Sequence, residues 1–298
     1  MPPADVSARP LALLKAALLF LSAQVFFNLV DATGKYLVQD FPVLTVSWAR
    51  YLFHLLFMAG YVALVWKPGL LATARPRLQI VRGLTLIGFA TFLFAALKHL
   101  PQAEAVAISF VAPLLILVLA GPLLGERVGW ARWAAAIAGF AGMLIVVRPG
   151  AGLAVLGVAF ALATLVCNAA FQLATRKLAL TEHPIATVFY SALVGTVGTT
   201  VLLPLGLPDH WPDAWQSLLF VSFGVTGSVS HLLLIRAYRL APASFIAPLI
   251  YCHIVMATAS GWIFFGQFPD AVTLVGIAAI VASGAAIAAY ESRRRTRA

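Results

Sequence analysis

The sequence predicts an all-α polytopic membrane protein with ten transmembrane helices, arranged as two inverted five-helix repeats around a central cavity. Three observations predict this fold class. First, 62% of the 298 residues are hydrophobic and only 10% are charged, whereas soluble domains are about 25% charged. Second, ten apolar runs follow one another along the chain. Third, segments of the first half recur in the second half at a nearly constant offset.

The ten runs each approach the roughly 20 residues that a helix needs to cross a bilayer. Proline and glycine mark the joins between them, and no join is long enough for a soluble domain. The first run could mimic a signal peptide, but no small-residue cleavage site is evident, so we interpret it as a retained span. The predicted spans are 11–33, 43–66, 79–98, 102–124, 130–148, 152–175, 185–206, 215–236, 243–266 and 271–290.

The basic residues predict the orientation of these spans. The formal net charge of +10 could suggest nucleic-acid binding, but the basic residues lie between the apolar runs, where they act as topology signals. With the N-terminus in the cytoplasm, the cytoplasmic segments hold 16 Lys and Arg residues and the outer segments hold 3. We therefore predict a multi-pass protein of the bacterial inner membrane with both termini cytoplasmic, a basic tail at 291–298, the lipid bilayer as a partner and no nucleic-acid partner.

The internal repeat divides the chain into two halves, 11–148 and 152–290. At an offset of 141 residues Phe110 falls on Tyr251, and at 142 "KYLVQDFP" (35–42) falls on "KLALTEHP" (177–184). A second register, with "APLL" (112–115) on "APLI" (247–250), stays open. Since each half has five spans, the second half must be inverted relative to the first, an arrangement that recurs in transporters with a midplane substrate site.

Several segments resemble the drug/metabolite transporter superfamily, in its EamA family. The resemblance covers nearly the whole chain and implies a ten-helix basket around a central cavity. It implies transport of small metabolites such as amino acids, riboflavin, S-adenosylmethionine or opine metallophores. Gln267 stands where the family usually has glutamate. The segments that carry the resemblance are "DATGKYL", "RGLTLIGFATFLFAALKHLPQAEAVAISFVAPLL", "GERVGWARW", "GFAGMLIVVRPG", "APASFIAPLIY" and "FFGQFPD".

Polar residues inside the apolar runs mark the candidate site, because ionisable groups at membrane depth usually face a bundle interior or a wet cavity. Spans 1 and 6 each carry a polar stripe with i, i+4, i+7 spacing, which places its members on one helix face. Span 2 carries a similar stripe with Arg50 and His54, and in span 9 we expect at most one of Tyr251 and His253 to line the cavity. The candidate substrate-binding residues are Gln24, Asn28, Asp31, Arg50, His54, Asn168, Gln172, Tyr251 and His253.

Asp31 and Arg50 are predicted to form an ion pair. They lie at similar distances from the turn between spans 1 and 2, roughly 13–15 Å at about 1.5 Å per residue. The pair could either bind substrate or only fix the packing of the two spans. Glu104, three residues after Pro101, could be an anion at a helix N-terminus or a proton-coupling carboxylate.

The predicted function is a secondary transporter, since no nucleotide-binding loop, no HExxH or GxSxG motif and no Cys/His cluster is present. We therefore expect no cofactor, no bound metal and no enzymatic activity. The expected cargo is a small polar metabolite, an amino-acid-like zwitterion or an opine metallophore, which is exported, with protons as a candidate coupling ion. The alternatives are uptake of riboflavin or S-adenosylmethionine, or an integral-membrane enzyme. The protein is expected to be a monomer or a homodimer.

Overall fold

The computed structural model describes residues 10–116, 130–148, 153–178, 181–241 and 243–295, and within these ranges all regular secondary structure is helical. Residues 117–124 of the predicted span 4 and the last three residues of the predicted basic tail lie outside the described residues. The helices are α1 (Pro10–Asp40), α2 (Val43–Leu64), α3 (Pro76–His99), α4 (Gln102–Ser109), α5 (Trp130–Val147), α6 (Val155–Leu178), α7 (Pro184–Leu202), α8 (Ala214–Leu240), α9 (Cys252–Phe265) and α10 (Ala271–Arg295).

Six of these helices, α1, α2, α3, α6, α7 and α8, are long and apolar enough to cross a membrane. Four further apolar helical stretches are shorter: Gln102–Ile116, Trp133–Val147, Leu249–Phe265 and Ala271–Ile287. The expectation of a polytopic all-α membrane protein is therefore confirmed in its coarse form.

Helix starts follow from local sequence. Proline, which lacks the N–H that the first turn leaves unpaired, opens α3 and α7. The polar link before α8 ends in a capping box, in which Asp213 accepts from the backbone N–H of Gln216 at 2.7 Å and the Gln216 side chain accepts from the backbone N–H of Asp213 at 3.0 Å. These signals place the helix boundaries close to the joins that the sequence predicts.

Helices from the two halves of the chain pack mainly against each other. Helix α1 packs along α8, α3 along α6, and α5 along α10, while α2 lies against both α7 and α8. Helix α4 contacts α6 and α9, and α9 also contacts α1. Helices α1 and α2, which are consecutive in sequence, make little contact with each other. The centre of the molecule is therefore lined by both halves.

An ion pair ties the end of α5 to the start of α10. Arg148 donates to both carboxylate oxygens of Asp270, at 2.7 and 2.8 Å. Asp270 also accepts from the backbone N–H of Thr273 at 2.8 Å and so caps α10. That backbone N–H, together with Arg148, lowers the pKa of Asp270 to about 2. Asp270 lies between the predicted spans 243–266 and 271–290, and Arg148 is the last residue of the predicted span 130–148.

Candidate functional site

An interrupted helix in the first half forms one wall of the candidate site. Helix α4 ends at Ser109, and after a turn at Phe110 and Val111 the chain is helical again from residue 112. Pro113 has no N–H to donate to the carbonyl of Ser109, four residues earlier. The side-chain amide of Asn168 on α6 donates to that carbonyl instead, at 3.3 Å. A backbone acceptor freed inside the bundle is thus paired with a predicted site residue.

The second half has an interruption at the corresponding position. A single helical turn, Ala243–Ile246, leads into the 3₁₀ stretch Ala247–Tyr251, after which α9 begins at Cys252. Gln24 on α1 directs its side-chain amide at the carbonyl of Ile250, at 3.5 Å. Ile250 lies 141 residues after Ser109, so the two carbonyls are equivalent in the predicted repeat.

The two polar stripes lie next to these interruptions. On α1, Gln24, Asn28 and Asp31 are all buried. On α6, Gln172 donates to the side-chain oxygen of Asn168 at 3.1 Å and so holds that amide in place. The side-chain nitrogen of Asn28 is buried without a hydrogen-bond partner. The sequence analysis did not predict these interruptions, although Pro113 and Pro248 indicate them, because proline lacks the N–H that a helix interior needs.

Asp31 pairs with a histidine rather than with Arg50, which corrects the predicted ion pair. Nε2 of His253 on α9 lies 3.0 Å from Oδ2 of Asp31, and both side chains are buried. The imidazole of His253 stacks on the ring of Phe110 at the α4 interruption, with ring centroids 5.0 Å apart and planes 9° from parallel. The pair therefore joins α1 of the first half to α9 of the second.

The packing of α1 explains why Arg50 is not the partner. The depth argument assumed that consecutive helices are neighbours, whereas α1 packs along α8. At the level of Asp31, the ring of Phe94 from α3 lies so close to Gly34 that a Cβ atom there would overlap it. The same ring lies 5.4 Å from the guanidinium carbon of Arg50. The Phe94 ring thus lies against both α1 and Arg50.

Arg50 and two histidines form a second group, which we call the basic group: Arg50 and His54 on α2, and His231 on α8. The rings of His54 and His231 stack with centroids 5.3 Å apart and planes 6° from parallel. Phe27 on α1 contacts His231 edge-on, at 5.0 Å between centroids. His231 was absent from the predicted site, because an isolated histidine in an apolar run gives no signal of its neighbours.

Tyr251 and Arg82 are buried and make contacts that hold helices together. The ring end of Tyr251, a predicted site residue, packs against Gly284 of α10. Arg82 is buried on α3, with 4% of its surface exposed. Its guanidinium donates to Thr175, to Ser191 and to the carbonyl of Thr187. It therefore holds α3 against α6 and α7.

A polar cleft of about 490 Å³ opens at the end of the molecule where α1 and α3 finish. Lys35, one turn beyond Asp31, lines it and donates to the carbonyls of Leu97 and Leu100, at 3.0 and 2.6 Å. Glu104 lies in the first turn of α4, buried, with one carboxylate oxygen unpartnered. The cleft is also lined by Gln39, Lys98, His99, Leu100, Pro101, Phe265 and Gln267.

Known proteins similar to this chain include several transporters. An S-adenosylmethionine uptake transporter of Rickettsia bellii (strain RML369-C) is 30% identical over 264 residues, 88% of this chain and 89% of that protein. A riboflavin transporter of Vibrio cholerae is 29% identical, covering 95% and 96%. The pseudopaline exporter CntI of Pseudomonas aeruginosa (strain UCBPP-PA14) is 29% identical, covering 68% and 71%.

The fold is also shared with solved structures. One crystal structure aligns with a TM-score of 0.62 at 20% identity, covering 93% of this chain and 99% of that chain. The model of the EamA-like transporter family matches twice, over residues 14–148 and 155–289. The predicted resemblance is confirmed: the chain belongs to the EamA-like transporter family of the drug/metabolite transporter superfamily, and it is a small-molecule transporter.

Proposed function

We propose that this protein is a secondary transporter for a small polar metabolite with an α-amino-acid group. The substrate binds at the two helix interruptions, between two inverted five-helix repeats, 11–148 and 152–290, that surround a central cavity. The protein lies in the bacterial inner membrane with ten spans and both termini in the cytoplasm. Asp31, paired with His253, faces the ammonium group, and Arg50 faces the carboxylate.

The paired interruptions carry this proposal. Non-helical backbone at membrane depth is tolerated only where it is buried in protein or lines a cavity. In transporters, broken helices at corresponding positions of two repeats mark the binding site. Here α4 and the stretch before α9 are interrupted at Ser109 and Ile250, and amides of Asn168 and Gln24 approach the two carbonyls.

The inverted repeat is supported by packing and by the family match. The starts at 14 and 155 and the ends at 148 and 289 are both separated by 141 residues. In the predicted repeat, α1 corresponds to α6, α3 to α8 and α4 to α9. The α1–α8 contact is therefore equivalent to the α3–α6 contact, and the α4–α6 contact is equivalent to the α1–α9 contact. All four contacts are present. The excess of 16 over 3 basic residues supports cytoplasmic termini.

The direction of transport has two candidates. Export is the sequence-based expectation. Uptake is favoured by the relatives from Rickettsia, which are named S-adenosylmethionine uptake transporters and match 88% of this chain. S-adenosylmethionine carries the α-amino-acid group that Asp31 and Arg50 would bind, so it is the first substrate to test in either direction.

The test is counterflow of labelled S-adenosylmethionine and of labelled amino acids in proteoliposomes. We expect exchange by the unaltered protein and a loss of at least tenfold in Asn168→Leu, which frees the Ser109 carbonyl. Thr164→Val is the matched control, because Thr164 is buried one turn earlier on α6 and bonds only to Phe160 of its own helix. Full exchange by Asn168→Leu would refute the role of the interruption, and product formation without a gradient would indicate an enzyme.

Topology is tested separately with reporter fusions at Arg295 and within residues 207–213. Signals from opposite sides of the membrane are expected. Signals from the same side would contradict the ten-span arrangement.

A further inference from the structure

The basic group is a buried cluster with an unusual charge balance. Arg50 is the only charged side chain of α2 and lies one turn before His54. Within the described residues, no acidic side chain forms a hydrogen bond or an ion pair with His54 or His231. On the α1 side, the ring of Phe27 packs edge-on against His231. The carboxylate of Asp31, also on α1, pairs with His253 instead. From α8, Gly227 faces the His54 ring, and a Cβ atom at this position would lie 3.8 Å from it. Arg82 already donates to three acceptors.

Two polar nitrogen atoms in this cluster, one of them the obligatory donor Arg50, lack hydrogen-bond partners. Nη1 of Arg50 and Nε2 of His54 are both buried without a hydrogen-bond partner. Arg50 and His54 are four residues apart on α2, so they lie on the same helix face. His54 as a whole is 6% exposed. Buried polar atoms are nearly always hydrogen-bonded in folded proteins, so two unpartnered atoms on one face point to a ligand with acceptor oxygens.

A proton on the stack would need an anion beside it. Protonating either imidazole adds a second positive charge next to Arg50, and an unpaired buried charge is strongly unfavourable. A bound carboxylate would supply the missing negative charge and would accept from both Arg50 and the protonated ring. Binding of the anion and binding of the proton would then favour each other, as linkage requires.

We propose that Arg50 and the His54–His231 stack form an anion-binding subsite that takes up one proton together with the anionic group of the substrate. This inference rests on the proposed transport function and assigns the site of its proton coupling. The proton comes from the water phase on the side where the substrate enters, rests on one imidazole nitrogen, and leaves with the substrate on the other side. No covalent bond changes. An inward proton gradient would therefore favour uptake over export.

Histidine side-chain NMR of the full chain in nanodiscs tests the subsite without knowledge of the substrate. The chain has six histidines, and the signals of the stack are assigned from His54→Gln and His231→Gln. Acetate serves as the probe anion, with chloride at equal ionic strength as its control. We expect acetate to raise the pH at which one ring of the stack protonates by about one unit, a tenfold linkage. His99, which stacks on Phe160 away from Arg50, is the internal control.

Arg50→Gln provides the second measurement. It should abolish the acetate effect on the stack and leave His99 unchanged. The inference is overturned if acetate does not change the protonation of the stack, or if the effect survives in Arg50→Gln. An acetate effect without S-adenosylmethionine counterflow would support the subsite and refute that substrate. Counterflow without an acetate effect would support transport and refute the subsite.

Discussion

Replacing His253 by phenylalanine tests whether Asp31 carries a buried negative charge that His253 neutralises. The distance from Nε2 to Oδ2 is 3.0 Å, and the two side chains are 5% and 10% exposed. Removing one partner of a buried pair leaves the other charge unpaired, which costs about 3–5 kcal/mol. Phenylalanine preserves a ring over Phe110, so the stacking contribution of about 0.5–1.5 kcal/mol is retained. We expect His253→Phe to lower the free energy of unfolding by about 3–5 kcal/mol.

Asp31→Asn should lower the free energy of unfolding less than His253→Phe does. The amide removes the charge and still accepts a hydrogen bond from Nε2, so only the difference between a charged and a neutral hydrogen bond is lost, about 1 kcal/mol. The double variant should resemble Asp31→Asn, because no unpaired charge remains. Hydrogen bonds between neutral groups in membrane helices average about 0.6 kcal/mol, so a coupling above about 2 kcal/mol would identify an ionised Asp31.

The assay is reversible unfolding in mixed detergent micelles, followed by circular dichroism. His99→Phe is the matched control, since His99 stacks on Phe160 and forms no pair with a carboxylate in the described part of the chain. It should change the free energy of unfolding by less than about 0.5 kcal/mol. Equal costs for Asp31→Asn and His253→Phe would refute the reasoning, and additive effects in the double variant would show that the residues do not interact.

Three further predictions concern the scaffold. Arg82→Met should lower the free energy of unfolding by about 2–4 kcal/mol. It removes charged hydrogen bonds that contribute about 1.5–3 kcal/mol each, but this loss is partly offset because the charge no longer has to be desolvated. Arg77→Met, at an exposed position, should leave the free energy of unfolding unchanged. Gly34→Val should displace Phe94 and cost about 1–3 kcal/mol, measured as a lower melting temperature. The ion pair of Asp270 with Arg148 stabilises the fold above the ordinary pKa of 3.8, and this stabilisation is lost as pH falls towards 2. In acid unfolding, Asp270→Asn should not show this loss of stability. A pH profile identical to that of the unaltered protein would contradict the prediction.

Features that depend on local sequence were predictable. The apolar runs gave the helices, and the spacing of Gln24, Asn28 and Asp31 placed them on one face, which is buried. The polar stripe on α6 contains Asn168, which bonds to the Ser109 carbonyl, and Gln172, which bonds to Asn168. Periodicity determines which residues share a helix face, and it does so without knowledge of the neighbouring helices.

Features that depend on which helices are neighbours were not predictable. The Asp31–Arg50 prediction required α1 to lie beside α2, but α1 packs along α8 and meets α9. His253 and His231 come from α9 and α8, 222 and 200 residues after Asp31 in the sequence. The orientation of Tyr251 towards α10 depends on Gly284, which leaves space for its ring. Such contacts depend on the packing of the halves, which one sequence does not specify.

The candidate site has an asymmetric lining on a scaffold whose halves resemble each other. At the offset of 141 residues that separates the two family matches, Asp31 corresponds to Gln172, Arg50 to Ser191 and His54 to Gly195. His253 corresponds to Ala112 and His231 to Ala90. Each ionisable group thus has an uncharged counterpart. The amides that approach the carbonyls of Ser109 and Ile250 also lack equivalents, since Asn168 corresponds to Phe27 and Gln24 to Leu165. The carbonyls of Ser109 and Ile250 are equivalent at this offset, whereas the side chains that approach them and the charges nearby differ between the halves. A site built in this way has its acidic and basic groups in different places, so it suits a substrate with distinct cationic and anionic ends better than a symmetric one.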